Sequence, residues 1–311
     1  MNLRQRLNSG TPILLDGAMG TELEQRTVDV SLPLWSAAVV EHHPEIVEEV
    51  HSDYLAVGAE VLTTATFRTT PRTFMKITSN CREAVSRAKE ATLVAVSLAM
   101  KAAQGQAWVA GSMAPLEDCY RPELFPGVAE ASFEFRELAE WLMEGGVDFF
   151  LIEAMTRIDE TITALQSTGD LGLPRWVSFI LADAEHLLSG DKLARAVISV
   201  SEHGADAVLV NCTDPLVSIE ALEIIQRFTS LPLGLYPNLV ISDTKSTYYS
   251  LKDFEQIMRN AVRKGARIIG SCCGSSPAHI ATLARIISNL QLLLLMFIIF
   301  ASYNYGSRGI T

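Results

Sequence analysis

The sequence is short of basic residues and has no export signal at its start. Its 25 lysines and arginines against 36 acidic residues leave a net charge of −11, which argues against non-specific nucleic-acid binding. Residues 1–6 lead into no apolar segment of the kind found in signal peptides. The cysteines number only five, an odd count that does not suggest a disulfide framework. We therefore expect a cytoplasmic protein whose clustered cysteines serve metal binding or catalysis.

The motifs of several common enzyme classes are also missing. No Gly-x-Gly-x-x-Gly follows the first apolar strand, which counts against a dinucleotide-binding fold. Neither a Gly-x-Ser-x-Gly nucleophile elbow nor a P-loop is present. No lysine suited to a Schiff base stands at a strand end, which disfavours an aldolase.

Apolar runs long enough to cross a membrane are absent too. The longest apolar run, residues 292–301, has ten residues, whereas a membrane-spanning helix needs about 20. Ser288, Asn289 and Gln291 interrupt its extension toward the N-terminus. We expect a buried final helix or a partner-binding flap here, and no membrane association. Residues 291–311 are treated as an apolar tail of unknown role.

The remainder of the chain alternates short apolar strands with longer helical patterns. Strands are predicted at residues 13–16, 60–67, 108–111, 148–153, 176–180, 207–211, 233–236 and 267–270. Helices are predicted at residues 43–58, 81–104, 129–145, 157–167, 192–203, 216–228 and 251–264, and from residue 277 onward. Eight such units predict a single-domain (β/α)₈ barrel over residues 1–290, because no Pro/Ser-rich linker divides them. A doubly wound open sheet is the runner-up.

Three cysteines stand where two of these strands end. Cys212 follows the sixth strand, and Cys272 and Cys273 follow the eighth. Chemistry in such barrels lies at the C-terminal ends of the strands, and Zn²⁺ prefers thiolate ligands with one position left open. We therefore predict a zinc site formed by these cysteines. The alternative is that they are buried small hydrophobes, as in an unrelated barrel lyase.

Two carboxylates end other strands on the same side of the predicted barrel. Asp16 precedes a glycine-containing loop, where it would either bind a substrate or accept backbone N–H groups of the turn. Glu153 follows an apolar strand, where burial would require a partner: a substrate ammonium group or Arg157. Thr66 and Asn238 end two further strands and are predicted substrate contacts.

These residues together resemble the homocysteine S-methyltransferase family over roughly residues 11–288. The motifs that carry the resemblance are Leu15-Asp16-Gly17-Ala18-Met19-Gly20-Thr21-Glu22-Leu23, Glu153-Ala154-Met155, Ser178-Phe179 with Glu185-His186-Leu187, Asn211-Cys212, Tyr236-Pro237-Asn238, and Gly270-Ser271-Cys272-Cys273-Gly274 with Ser276-Pro277. The resemblance implies a (β/α)₈ barrel in which Cys212, Cys272 and Cys273 hold Zn²⁺. It also implies that Asp16 and Glu153 hold the amino-acid group of homocysteine.

The implied reaction moves a methyl group from a sulfonium donor to the homocysteine thiol, giving methionine. S-methylmethionine or S-adenosylmethionine suits the role, because each donor leaves as a neutral thioether. Two features depart from the family: Ser271 replaces a glycine, and Leu239-Val240-Ile241 follows the Tyr-Pro-Asn motif. A zinc- or thiol-binding barrel without turnover stays open, as does transfer to another thiol or selenol.

Overall fold

The computed structural model describes residues 2–240 and 249–306. Its strands are β1 (Ile13–Leu14), β2 (Val61–Thr63), β3 (Trp108–Met113), β4 (Phe149–Met155), β5 (Arg175–Phe179), β6 (Leu181–Asp183), β7 (His186–Leu187), β8 (Ala207–Asn211), β9 (Leu233–Tyr236) and β10 (Ile268–Ile269). Eight of them form one parallel sheet in the order β1-β10-β9-β8-β5-β4-β3-β2, and β6 pairs with β7 in a separate antiparallel hairpin.

Helices connect the strands around the outside of this sheet. They are α1 (Leu3–Leu7), α2 (Met19–Gln25), α3 (Ser36–His42), α4 (Pro44–Ala56), α5 (Pro71–Phe74), α6 (Cys81–Ala103), α7 (Val128–Gly145), α8 (Ile158–Ser167), α9 (Leu193–Glu202), α10 (Pro215–Phe228), α11 (Leu251–Arg263) and α12 (Pro277–Gly306). A 3₁₀ turn, Pro122–Leu124, precedes α7. The long predicted helices are all found, within one or two residues at most ends.

The first and second strands close the sheet into a barrel. Leu15 bridges Val61 in parallel, and the Asp16 N–H donates to the Val61 carbonyl at 3.0 Å. On the other side of the bridge, the Glu60 N–H donates to the Leu14 carbonyl at 2.8 Å. The predicted (β/α)₈ barrel is confirmed.

Apolar side chains fill the inside of the barrel below its C-terminal end. The rings of Phe149 and Trp176 lie 4.3 Å apart at its centre, and both are fully buried. A second apolar layer packs between the sheet and the helices. Strands covered on both faces are apolar at nearly every position, which is why residues 207–210 read as a continuous run.

Several strands differ from their predicted extents, and the differences in β2 and β4 affect the candidate site. The prediction of β2 to residue 67 was wrong, because the strand stops at Thr63 and the Thr66 hydroxyl, not a backbone group, donates to the Ser112 carbonyl at 2.8 Å. β4 continues two residues beyond Glu153, through a register shift at which Ala154 has φ of 57°. The shift is a β-bulge, a device that re-aims neighbouring side chains.

The final helix includes the apolar tail. α12 runs without a break from Pro277 to Gly306, while residues 307–311 lie outside the described part of the chain. Its first turns are buried through Ile280, Leu283 and Ile286, whereas Leu292 and Met296 are exposed. Within the described residues, no helix has the length and apolarity needed to span a bilayer. The domain boundary at residue 290 stays a prediction.

Candidate metal centre

Three cysteine sulfur atoms meet at the C-terminal mouth of the barrel. The Sγ atoms of Cys212, Cys272 and Cys273 all lie within 4.8 Å of one another, and each residue is half-buried. The Cys272 and Cys273 sulfurs are 3.9 Å apart, and Cys212 and Cys272 are joined in a disulfide. The predicted convergence of these cysteines is therefore found.

The loops after three neighbouring strands hold the cysteines in place. Cys212 follows β8 in a left-handed backbone conformation, with φ of 47°, and its N–H donates to the Tyr236 carbonyl at 3.3 Å. The Cys272 N–H donates to the Pro237 carbonyl at 2.8 Å, and the Cys273 carbonyl accepts from Leu239 at 2.8 Å. Backbone hydrogen bonds thus fix the positions from which the three side chains start.

The residue before the cysteine pair is a serine that departs from the family pattern, and the backbone around the pair accommodates it. Ser271 is 2% exposed, and its hydroxyl is within 3.5 Å of the Pro237 carbonyl that also accepts from Cys272. Gly270, in contrast, leaves no room for a side chain, because a Cβ there would lie 2.7 Å from the Leu15 Cβ. The barrel therefore requires a glycine at 270 and accommodates a serine at 271.

The donor set fits a soft divalent cation. Three sulfurs at these separations either bind one ion as thiolates or pair as a disulfide, as Cys212 and Cys272 do here. A three-ligand site with an accessible side is typical of catalytic rather than structural zinc. In reduced form, these side chains would hold the ion and leave a position for a ligand from solvent.

Glu153 lies at the same mouth and is 7% exposed. Its two carboxylate oxygens accept hydrogen bonds from the Ser112 hydroxyl at 2.5 Å and the Tyr236 hydroxyl at 3.0 Å. Burial raises the pKa of the carboxyl group, and both hydrogen bonds oppose that rise. The expected alternative partner, Arg157, pairs instead with Asp159 at 2.5 Å.

Asp16 is the second buried carboxyl group, at 6% exposed. It accepts from the Thr63 N–H at 2.7 Å and from the Thr63 hydroxyl at 2.9 Å, so its backbone partner belongs to β2 and not to its own turn. Burial raises its pKa to about 7; the hydrogen bonds from Thr63 oppose this, and the charge of Glu153 adds to it. No basic side chain in the described ranges forms an ion pair with Asp16 or Glu153, so this pair favours a cation from solution.

Two predicted substrate contacts have hydroxyl or amide groups that are already engaged. Thr66 is fully buried, and its hydroxyl also contacts that of Thr64 at 2.7 Å. The side-chain oxygen of Asn238 accepts from the Val240 N–H at 3.0 Å, and the backbone N–H of Asn238 donates to the Thr213 carbonyl. Their roles in substrate binding stay predictions. His186 is in the β6–β7 hairpin, where it contacts Asp183 at 3.0 Å.

Sequence reasoning assigned no role to the polar groups that support Glu153. The Asn211 amide oxygen accepts from the Ala154 N–H at 3.1 Å and from the Ser178 hydroxyl at 2.7 Å, which holds the bulge beside Glu153. Ser112, Ser178 and Asn211 are all fully or almost fully buried. The signal that could have found them is a polar residue in the last positions of an otherwise apolar strand.

A latch of two hydroxyl groups joins the Asp16 loop to the cysteine loop. The Tyr54 hydroxyl donates to the Ala18 carbonyl, and the Ser275 hydroxyl accepts from the Ala18 N–H, both at 3.0 Å. The Ser275 N–H in turn donates to the Cys272 carbonyl at 3.1 Å. A Cβ on Gly17 would lie 2.7 Å from the Tyr54 hydroxyl, so only glycine permits this approach.

The fold and the site define a class: a (β/α)₈ barrel with a candidate thiolate metal centre and two buried carboxyl groups at its C-terminal mouth. Residues 13–287 match the sequence profile described as homocysteine S-methyltransferase. The chain belongs to the homocysteine S-methyltransferase family, as the resemblance of its motifs indicated.

Relatives of known name match nearly the whole chain. It is 32% identical over 313 residues to the homocysteine S-methyltransferase of Escherichia coli strain K12, a match that covers 90% of this chain and 97% of that protein. It is 29% identical over 300 residues to the homocysteine S-methyltransferase YbgG of Bacillus subtilis strain 168, covering 88% and 93%. A selenocysteine methyltransferase of Astragalus bisulcatus is 25% identical over 328 residues, covering 91% and 94%.

Solved structures agree with the fold. The E. coli homocysteine methyltransferase MmuM, in a form described as metallated, superposes with a TM-score of 0.80 at 30% identity, covering 91% of this chain and 99% of that one. The form described as oxidized gives 0.81 at 29% identity, covering 91% and 98%.

Proposed function

We propose that this chain is a zinc-dependent methyltransferase that moves a methyl group from S-methylmethionine or S-adenosylmethionine to the thiol of L-homocysteine, giving methionine. The observation that carries the proposal is the cluster of Cys212, Cys272 and Cys273 at the barrel mouth. The names of the E. coli and B. subtilis relatives support the acceptor. We place the reaction in the cytoplasm, where a reducing environment keeps the cysteines as thiols.

The cysteines would hold Zn²⁺ in this reaction, and the two carboxyl groups would hold the substrate. Bound there, the ion would supply deprotonation of the acceptor thiol, whose free pKa of about 8.5 leaves little thiolate at neutral pH. Asp16 and Glu153 bind the homocysteine ammonium group, which offsets the desolvation that burial imposes on both. Together these contacts orient the sulfur toward the mouth.

Methyl transfer then requires no further acid or base from the chain. The acceptor sulfur attacks the methyl carbon in line, the bond from that carbon to the sulfonium sulfur breaks, and the donor leaves with the electron pair as a neutral thioether. The chain's contribution is to align the two sulfurs and exclude water, an effect worth up to several powers of ten in rate.

The proposal is tested with purified, reduced and zinc-loaded protein. Homocysteine is supplied with S-methylmethionine or with S-adenosylmethionine, and methionine is measured by mass spectrometry alongside the zinc content. Methionine formed with at least one donor supports the proposal. Bound zinc without product from any sulfonium donor would instead identify a zinc- or thiol-binding barrel.

Selenocysteine is the second acceptor to be tested in the same assay. The relative named selenocysteine methyltransferase matches 91% of this chain, at lower identity than the homocysteine enzymes. A larger kcat/KM for the selenol than for homocysteine, at matched fractions of ionised acceptor, would reassign the acceptor.

Binding of homocysteine should weaken on acidification. Because burial raises the pKa of Asp16 to about 7, its charged form is lost as the pH falls through that value, and with it the attraction for an ammonium group. Glu153 is the other titrating neighbour, since burial raises the pKa of Tyr54 and Tyr236 far above neutrality. We expect kcat/KM for homocysteine to fall as the pH drops through about 7, and Asp16→Asn to flatten that step.

Zinc content measured at each pH is the control for this profile, because acid also protonates metal-binding thiolates. An unchanged step in Asp16→Asn, with zinc retained, would assign the titration to another group.

A further inference from the structure

Two arginines are buried in the described part of the chain, and they differ in what holds them. Arg6 is 8% exposed and forms a two-point ion pair with Glu60, with both N–O distances at 2.6 Å. Arg68 is 9% exposed, but across residues 2–240 and 249–306 no carboxylate lies within ion-pair distance of it. Burial of a charge without a partner is costly, and the described residues do not compensate the charge of Arg68.

The surroundings of Arg68 hold the guanidinium in place without neutralising it. One Nη atom donates to the Glu117 carbonyl at 2.8 Å, and the guanidinium carbon lies 5.5 Å from the centre of the Phe67 ring. The Glu117 side chain is occupied elsewhere, by Arg72 at 3.3 Å and Lys76 at 2.6 Å. The Arg68 side chain is therefore held in place, while other N–H groups of its guanidinium donate to no described residue.

Arg68 is located at the mouth that carries the metal centre. It lies in the segment between β2 and α5, on the side where Asp16 and Glu153 are found. Its neighbour Phe67 packs against the same cluster of Cys119, Ala154 and Ile180 as Cys212 does. Burial raises the pKa of the Cys119 thiol to about 12; nearby Arg68 opposes that rise and Cys273 adds to it.

The other titratable groups that surround the metal centre are acidic. Asp16, Glu153 and three cysteine sulfurs surround the site, and the chain as a whole has a net charge of −11. A carboxylate entering this pocket needs a local cation, and an arginine offers a planar fork that matches a carboxylate. Arg157, which follows β4 at the same end, is already paired with Asp159.

We propose that Arg68 binds the α-carboxylate of an amino-acid substrate at this mouth, beside the carboxyl groups of Asp16 and Glu153 that bind the ammonium group of homocysteine. This inference rests on the proposed function. It makes the pocket selective for an α-amino acid over a simple aminothiol. The carboxylate belongs either to the thiol acceptor or to S-methylmethionine, and the two sources are separated by experiment.

The test compares substrates with and without the carboxylate. Homocysteine is paired with 3-aminopropane-1-thiol, and S-methylmethionine with (3-aminopropyl)dimethylsulfonium. In wild-type protein we expect one pair to differ in kcat/KM by about 30-fold or more, the order found when one partner of a buried charge pair is removed. Arg68→Gln should abolish that preference, raising KM for the carboxylate-bearing substrate much more than it lowers kcat.

Two further variants make the result specific. Arg68→Lys keeps the charge without the fork and should recover part of the preference. Arg87→Gln is the matched control, since Arg87 also lies over a phenylalanine ring, that of Phe74, but is paired with Glu41 and should leave the ratio unchanged.

The outcomes separate this inference from the proposed function. Loss of preference in the acceptor pair assigns the acceptor carboxylate to Arg68, and loss in the donor pair assigns the donor carboxylate. Methyl transfer that proceeds with both preferences intact in Arg68→Gln overturns the inference and leaves the proposed function standing. No methyl transfer to homocysteine by wild-type protein overturns the proposed function itself, and binding of homocysteine and 3-aminopropane-1-thiol by calorimetry then tests Arg68 directly.

Discussion

Cys272→Ser is expected to abolish methyl transfer and to lower zinc content while the barrel stays folded. A serine hydroxyl does not ionise near neutral pH and is a poor ligand for a soft ion, so two thiolates are left where three converged. Loss of the metal's contribution to the transition state corresponds to several kcal/mol, or roughly 10³-fold in rate. Zinc per chain, the rate of methionine formation and a thermal melt measure the three parts of this prediction.

The fold of the reduced protein should tolerate this change because the Cys272 side chain is half-buried and the backbone hydrogen bond from residue 272 to the Pro237 carbonyl is kept. Cys81→Ser is the matched control: Cys81 is exposed at the start of α6, and its replacement should change neither zinc nor rate. All samples are kept reduced, so that the disulfide between Cys212 and Cys272 does not compete with metal. Wild-type activity in Cys272→Ser would refute the metal role.

The barrel could be predicted because its signals are local. The helix predicted at residues 81–104 is found as Cys81–Ala103, capped at its start by the Asn80 side chain and ended by Gln104 in a left-handed conformation. Strands buried on both faces give apolar runs bounded by turns. Such runs can be recognised in the sequence without knowing which strands lie beside them. The order of strands then follows from the regular alternation of the elements.

The convergence of the three cysteines could also be predicted, because residues at the ends of parallel strands meet at one face whatever the details of packing. What holds Glu153 could not. The sequence offered Arg157, four residues away, whereas the hydroxyls that contact Glu153 come from Ser112 and Tyr236, 41 and 83 residues distant. The bulge at Ala154 likewise depends on Asn211, 57 residues away. Such long-range pairs leave no periodic trace in a single sequence.

The contacts that the sequence did not predict therefore lie at the candidate site. Ser112, Ser178, Asn211 and Tyr236 are polar residues at the ends of apolar strands, and their hydrogen bonds support Glu153 and the neighbouring bulge, while burial raises the pKa of the Glu153 carboxyl group. Hydrogen bonds from Ser112 and Tyr236 to the two carboxylate oxygens fix Glu153 in one orientation. The remaining unmet requirement is positive charge, which the described residues do not supply to Glu153.

Glu153→Gln should lower kcat/KM for homocysteine by about 10²-fold, since removal of one partner of a buried charge pair has effects of this size. The amide keeps the shape of the carboxylate and loses the charge that attracts an ammonium group. The discriminating substrate is 4-sulfanylbutanoic acid, which keeps the thiol and carboxylate of homocysteine and has no amino group. Wild-type protein should prefer homocysteine strongly, and the variant should prefer it only weakly, as measured by kcat/KM for both thiols.

Glu160→Gln is the matched control for loss of a buried glutamate. Glu160 is 2% exposed and accepts from the Leu116 N–H at 3.0 Å, a bond that glutamine can also accept, and its replacement should leave the ratio between the two thiols unchanged. If Glu153→Gln slowed both thiols equally, the residue would be shaping the barrel mouth and not recognising the amino group. The ratio, and not the rate, decides the question, because the network around Glu153 also supports the neighbouring bulge at Ala154.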